Sequence, residues 1–388
     1  MLLVIQIGTV ALTLAGVAFS LLCLRAARRF GAAQNPSVAG FTPPVSVLKP
    51  VRGDDPEAYE NFRSLTLQDY PQYEIVFGVA DAADPAVNVI ERLMHNHPQH
   101  NIRLVVCPKN LGANRKVSSL IQMLAEARHA HLVIADSDIR VPPDYLRQVL
   151  APLADPAVGM VTCLYRGVPA ATLGSRLEAI TTAVQFAPGV LAARLLDGGL
   201  RFALGSTIAT SRAALEKMGG LEPLVDHLAD DYELGARTAA AGLQVVLSDL
   251  VVDHYVPGYS LRGFLQHQLR WGRGMRQSRP AGYAGLFVTY LLVWALAAAA
   301  TLSFSSAGAP SFSQAAAVVL TAGIAFRLAV AYRVGIRVLG DRDLWRRLWL
   351  LPLSDFLGLL VWAGSYTGQQ VTWRGERFRL EKGRLRPR

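Results

Sequence analysis

Asp136-Ser137-Asp138 sets two carboxylates two residues apart, directly after the apolar run 132–135. Two anions on so short a turn call for a counter-ion. Hard oxygen ligands at this spacing suit Mg²⁺ or Mn²⁺, which leaves coordination sites to water and to a substrate diphosphate. Such an ion would stabilise negative charge building on a departing diphosphate. The plainer reading of the same residues is a polar turn whose aspartate caps the next helix. What accompanies the turn decides between them.

Four further groups do so. Asp81 follows the apolar run 74–79 and could accept hydrogen bonds from a base or ribose, whereas Asp84 before Pro85 reads as a helix cap. Asn114-Arg115-Lys116 places two cations at a helix start, where the helix dipole disfavours them unless an anion docks there. A solvated loop is the alternative. Asp230-Asp231-Tyr232-Glu233 offers a carboxylate that could take a proton from an attacking hydroxyl, and such a carboxylate is also a routine cap. Further on, His267-Gln268-Leu269-Arg270-Trp271 supplies a guanidinium for phosphate oxygens and a flat apolar wall. An interfacial amphipathic helix with snorkelling arginines would read the same way.

These motifs need a frame. Runs 45–48, 74–79, 102–107 and 132–135 read as buried strands, and 84–95 and 116–127 as helices by period and composition. Strand–helix alternation predicts an α/β fold with a mostly parallel sheet covered by helices on both faces. Ligands then bind where strand C-termini meet loops, and Asp81 and Asp136 fall at such ends.

The rest of the chain is membrane-like. Of its 388 residues 52% are hydrophobic and 18% charged, and the apolar excess sits in 1–24 and 283–366. We therefore expect an N-terminal anchor over 1–30 and a soluble domain over 41–282, entered through a Gly/Ala/Pro/Ser linker, 31–44. Membrane segments over 283–366 and a basic tail, 367–388, would follow. Basic residues follow the first apolar run instead of preceding it, which favours an anchor over a signal peptide. Residues 284–302 and 314–332 read as two crossings. Run 348–366 contains Asp355 and reads as re-entrant or interfacial, because a further crossing would put the basic tail outside. Much of the net charge of +10 is juxtamembrane, which suits anionic headgroups and a soluble domain facing the cytoplasm. No nucleic-acid motif is present. Cys23, Cys107 and Cys163 are too dispersed for a metal site and read as buried reduced thiols.

Taken in order, the stretches 45–50, 69–74, 79–85, 136–141, Asp230-Asp231-Tyr232 and Arg270-Trp271 resemble the inverting GT-A glycosyltransferases of family 21, which include ceramide glucosyltransferase. Stretches 112–118, 161–167 and 279–285, with Trp373-Arg374, look closer to the hopanoid-biosynthesis branch of bacteria. The resemblance implies a GT-A type nucleotide-sugar domain flanked by transmembrane helices, in the bacterial inner membrane. It implies a UDP-N-acetylglucosamine donor, a bacteriohopanetetrol-type lipid acceptor and a divalent metal. The alternative is ceramide with UDP-glucose. A processive polysaccharide synthase would need more spans, and a non-enzymatic scaffold would not need an intact polar set. Carried over by position, Asp231 would be the base, with Asp230 its acidic neighbour. Asp138 would bind the metal, with Asp136 assisting, and Asp81 the uridine. Lys49, Arg115, Lys116, Arg270 and Trp271 would lie on the donor side. His267 departs from the Gln or Arg usual in the wider family three residues before that arginine.

Overall fold

The computed structural model describes residues 1–31, 40–305, 310–373 and 375–387. Most of the expected linker, part of the loop after the 284–302 span, and Arg374 lie outside the described residues. The chain divides into two units, one of residues 1–32, 171–192 and 258–369, the other of 33–170, 193–257 and 370–388. The boundaries differ from the expected domains. Segments 171–192 and 258–282 group with the apolar helices, and the tail groups with the sheet.

The second unit is built on eight strands: β1 Val45–Pro50, β2 Tyr73–Val79, β3 Ile102–Val106, β4 His131–Ile134, β5 Ile139–Arg140, β6 Val158–Pro169, β7 Ile208–Ser211 and β8 Gln244–Val256. Their order is β3-β2-β1-β4-β7-β6-β8-β5. The first four neighbours run parallel. Every residue of β1 is buried, as a strand covered on both faces requires. Helices Ala86–Asn96 and Arg115–Glu126 bury Ile90, Leu93, Val117, Leu120 and Met123. β7 then runs antiparallel between β4 and β6, while β6 and β8 are parallel. The fold is the expected mixed α/β, GT-A-like one. β5 pairs with β8 so that Ile139 faces His254, which folds the turn after β4 back beside the end of β8.

The C-terminal segment, read from sequence as a basic tail, is a three-stranded antiparallel sheet: β9 Gln370–Trp373, β10 Glu376–Glu381 and β11 Arg384–Pro387. Phe378, Leu380 and Leu385 are buried while Arg377, Arg379 and Arg386 are exposed. The many arginines hide this two-residue alternation from a composition-based reading.

Leu2–Arg29, Leu173–Leu196, Ser313–Val338 and Leu344–Ser365 are long and apolar enough to cross a membrane, and all belong to the first unit except residues 193–196. Pro280–Thr289 and Leu291–Phe304, bent by 48°, add a fifth candidate if the pair is one span. The bend breaks the straight span expected over 284–302. Leu173–Leu196 was not anticipated, because Arg176, Glu178, Gln185 and Arg194 interrupt its apolar run. Asp355, the charge that set 348–366 apart, is fully buried and ion-paired with Arg327. Arg327 Nη1 also donates to the Val184 carbonyl (2.9 Å), and Asp355 Oδ2 accepts from the Leu292 N–H (3.2 Å).

Candidate active site

The turn after β4 rests on a buried ammonium. Lys49, the fifth residue of β1, is 1% exposed, and its Nζ donates to the carbonyls of Asp136 (2.7 Å) and Ile139 (3.3 Å). Burial pulls it down to about 8, against the opposing charges of Asp138, Asp136 and Asp55. Lys49, expected on the donor side, therefore sits beneath the turn and holds its backbone. Ser137 between the two aspartates donates to Asp55.

The two carboxylates have different partners. Asp136 Oδ1 lies 2.6 Å from Lys116 Nζ, which also reaches Asp230 Oδ2 at 3.3 Å. Burial raises Asp136 above the usual carboxylate range, with Lys116 pulling the other way. Burial would lower Lys116, but Asp136, Asp230 and Asp231 together push it well above the ordinary ammonium range. Lys116 is thus a fully charged bridge between the turn and the acidic helix. Asp138 Oδ2 lies 3.2 Å from His254 Nε2. Burial would raise Asp138, but His254 and Lys49 hold it below the usual range.

Asp230 and Asp231 open the helix Asp230–Ala240. Asp231 Oδ2 accepts from the Gly205 N–H and its Oδ1 from the Tyr232 N–H, both at 2.8 Å. Two fixed donors orient the carboxylate, while burial and then Asp230 push it up to about 6, with Lys116 opposing. Such a group is anionic at neutral pH and still basic enough to accept a proton. A Cβ on Gly205 would stand 2.8 Å from Asp136 Oδ2 and 3.3 Å from Asp231 Oδ2. A side chain at this position would press on both acids. Asp230 is buried and accepts from Asn114 Nδ2 at 3.2 Å.

Among the described residues no three His, Cys, Asp or Glu side chains form a group that could hold a metal ion. The Asp138–His254 pair nevertheless fits a divalent ion. A carboxylate oxygen and an imidazole nitrogen 3.2 Å apart can both turn to one metal, and an ion with two protein ligands leaves sites for water and diphosphate. Asp136, expected to assist the metal, has its charge met by Lys116 instead.

The remaining expected residues lie elsewhere. Asp81 is exposed past the end of β2 and accepts from the Ala83 N–H at 2.9 Å. With β1 between β2 and β4, it shares the C-terminal sheet edge with Asp136. Asp84 Oδ1 accepts from Ala86 N, at the start of its helix, and from Gly53 N (both 2.9 Å). Arg115 is the first residue of its helix, capped by Asn114, whose side chain accepts from the Val117 N–H. His267, Arg270 and Trp271 belong to the helix Leu261–Ser278 of the other unit. There His267 Nδ1 lies 3.3 Å from the buried Glu178, and its ring stacks on Tyr259 and tilts toward Trp271.

Sequence reasoning missed His254, Gly205 and the strut role of Lys49. His254 is 116 residues from Asp138, and only the β5–β8 pairing joins them. Nothing local marks it.

A family model described as "Glycosyl transferase family 21" matches residues 8–386. The chain is 26% identical over 207 residues to Ceramide glucosyltransferase 1 of Caenorhabditis elegans, covering 53% of this chain and 44% of that protein. It is 24% identical over 230 residues to Ceramide glucosyltransferase 3 of the same organism, covering 59% and 50%. The chain thus spans about half the length of these relatives. A mannosyltransferase of Pyrobaculum calidifontis, solved with GDP-Man and Mn²⁺, superposes with a TM-score of 0.55 at 23% identity, covering 92% of this chain and 99% of that one. That likeness speaks to the fold.

Proposed function

Because the chain belongs to glycosyl transferase family 21, we propose that it moves a sugar from a UDP-sugar to a hydroxyl of a membrane lipid, with inversion. The observation that carries this reading is Asp231. Its carboxylate is pinned by two N–H groups, pushed up to about 6, and set across Gly205 from the Asp136–Asp138 turn.

Asp231 takes the proton of the acceptor hydroxyl as that oxygen attacks the anomeric carbon. The bond from this carbon to the UDP oxygen breaks, and its electron pair leaves with UDP. One base and no enzyme nucleophile turn an α-linked donor into a β-glycoside. A divalent ion, Mg²⁺ or Mn²⁺, would be held by Asp138 and His254 and would neutralise diphosphate charge. Lys116 bridges Asp136 and Asp230 close to that base. Asp81 serves the uridine, and Arg115, Arg270 and Trp271 the donor side, as the sequence resemblance implies.

N-acetylglucosamine as the sugar and a bacteriohopanetetrol-type lipid as acceptor draw their support from the stretches 112–118, 161–167 and 279–285. Ceramide with UDP-glucose is the second reading, favoured by the names of the curated relatives. The apolar helices and the juxtamembrane arginines support a multi-pass protein of the bacterial inner membrane, its transferase unit on the cytoplasmic side against anionic headgroups.

The test is the purified chain with a panel of UDP-sugars and a crude bacterial lipid extract, alongside ceramide, with products read by mass spectrometry and NMR. A β-linked glycolipid is expected. Absence of UDP release with every donor would overturn the enzyme reading, and an α-linked product would overturn the displacement mechanism.

A further inference from the structure

We propose that the C-terminal three-stranded sheet, residues 370–387, is a working part of the active site that sets the position of Asp230 and Asp231. The idea rests on the transferase reading above. The contacts run through segment 225–230, which leads straight into the acidic helix. Leu385 N donates to the Asp226 carbonyl at 2.6 Å, and Leu228 N donates to the Gly383 carbonyl at 3.0 Å. His227 and Arg384 form an antiparallel bridge. β11 therefore adds segment 226–228 to its free edge as a further short strand. Leu228 is buried with Val371, Phe378, Leu380 and Leu385 in one apolar cluster, and Ala113 packs on it.

The other side of the segment is tied to the start of the Lys116 helix. Ala113 N donates to Asp226 Oδ1 (3.0 Å), and Asn114 N to the Val225 carbonyl (2.6 Å). Asn114 Nδ2 donates to the His227 carbonyl (2.8 Å) and to Asp230 Oδ1 (3.2 Å). The segment, which ends two residues before Asp230, is thus held between β11 and Asn114, which stands two residues before Lys116. Without the sheet, one side of this clamp is gone. Asp231 and Lys116 would then lose their fixed spacing. Asp226 and Leu385 are positioning residues in this scheme.

The experiment compares the full chain with a version ending at Gln369, and with Leu385→Pro and Leu385→Ala. Proline removes the N–H that faces Asp226, whereas alanine keeps the N–H and loses side-chain packing. Truncation should lower kcat about 100-fold, the scale of an ångström-sized misplacement, while leaving UDP affinity nearly unchanged. Leu385→Pro should lower kcat more than Leu385→Ala does. Amide exchange at 113–114 and 228–231 should accelerate by at least about tenfold in the truncated chain and not across β1 or β4. Unchanged kcat and unchanged exchange on truncation would overturn the inference, as would equal kcat for the two Leu385 variants. If the truncated chain does not fold, the Leu385 pair decides. If the full chain transfers no sugar, the transferase reading fails by itself, and the exchange pattern still decides whether the sheet orders this segment.

Discussion

His254 Nε2 stands 3.2 Å from Asp138 Oδ2 because β5 and β8 pair in a register that sets Ile139 opposite His254. The pair is the strongest candidate for holding a divalent ion. Asp138→Ala and His254→Ala should each weaken metal-dependent UDP binding about 10- to 100-fold, with the fold retained. Titration calorimetry of UDP with and without Mn²⁺ checks this. Metal-free binding should be nearly the same in both variants and the wild type. A His254→Ala protein with wild-type metal dependence would remove histidine from the site.

Asp231 should govern the acid limb of the pH profile. A base must be deprotonated to act, and this one is raised to about 6 by burial and by Asp230. kcat/KM should therefore climb about tenfold per pH unit below that value and level off above it. Lys116 lowers the proton affinity of Asp231, so Lys116→Met should move the limb to higher pH. Asp231→Asn should keep UDP binding and lose turnover by about 10²- to 10⁴-fold. Near wild-type turnover in Asp231→Asn would mean that another group is the base.

At Gly205 the smallest possible change should disturb two acids of the site at once. An added methyl would meet Asp136 Oδ2 at 2.8 Å and press on Asp231 Oδ2, and neither acid can withdraw without leaving Lys116 or the Gly205 N–H. Gly205→Ala should lower kcat about 100-fold. Circular dichroism and the melting midpoint should remain close to wild type, because the clash is with side-chain tips. Activity within a few-fold of wild type would show that the two acids have room to move.

Much of this was legible in the sequence, and the reason is locality. Strands 45–48 and 74–79 announce themselves as apolar runs, and Asp136, Asp138 and Asp231 stand at the ends or starts of such elements. What the sequence hid was partnership. Nothing local tells that Lys116 turns to Asp136 and Asp230, or that Lys49 bonds to carbonyls beneath the turn. Those pairings arise from the parallel order β2-β1-β4 and from Gly205 passing between the two acids. The tail misled for a different reason. Arg377, Arg379, Arg384 and Arg386 are exposed on a sheet whose inner face is made by a few apolar residues, so charge outweighed alternation.

Asp355 is the lone charge of the apolar run 348–366. Alone in an apolar run it argues against burial, since an isolated carboxylate in hydrocarbon is unfavourable. Its partner Arg327 lies on another helix, and the pair also engages the Val184 carbonyl, the Gln185 amide (3.3 Å) and the Leu292 N–H. One buried ion pair thereby joins four helical segments. Breaking such a pair strands the surviving charge, which is worse than losing both groups together. Asp355→Ala and Arg327→Ala should each destabilise the protein by about 3–5 kcal/mol, whereas Arg327→Met with Asp355→Leu should recover most of that. Thermal inactivation midpoints in detergent, followed by tryptophan fluorescence, compare the three. If the double variant is no more stable than the single ones, the pair is held by its hydrogen bonds to the backbone more than by its mutual charge. If the single variants melt like the wild type, the four segments are held together by apolar packing alone.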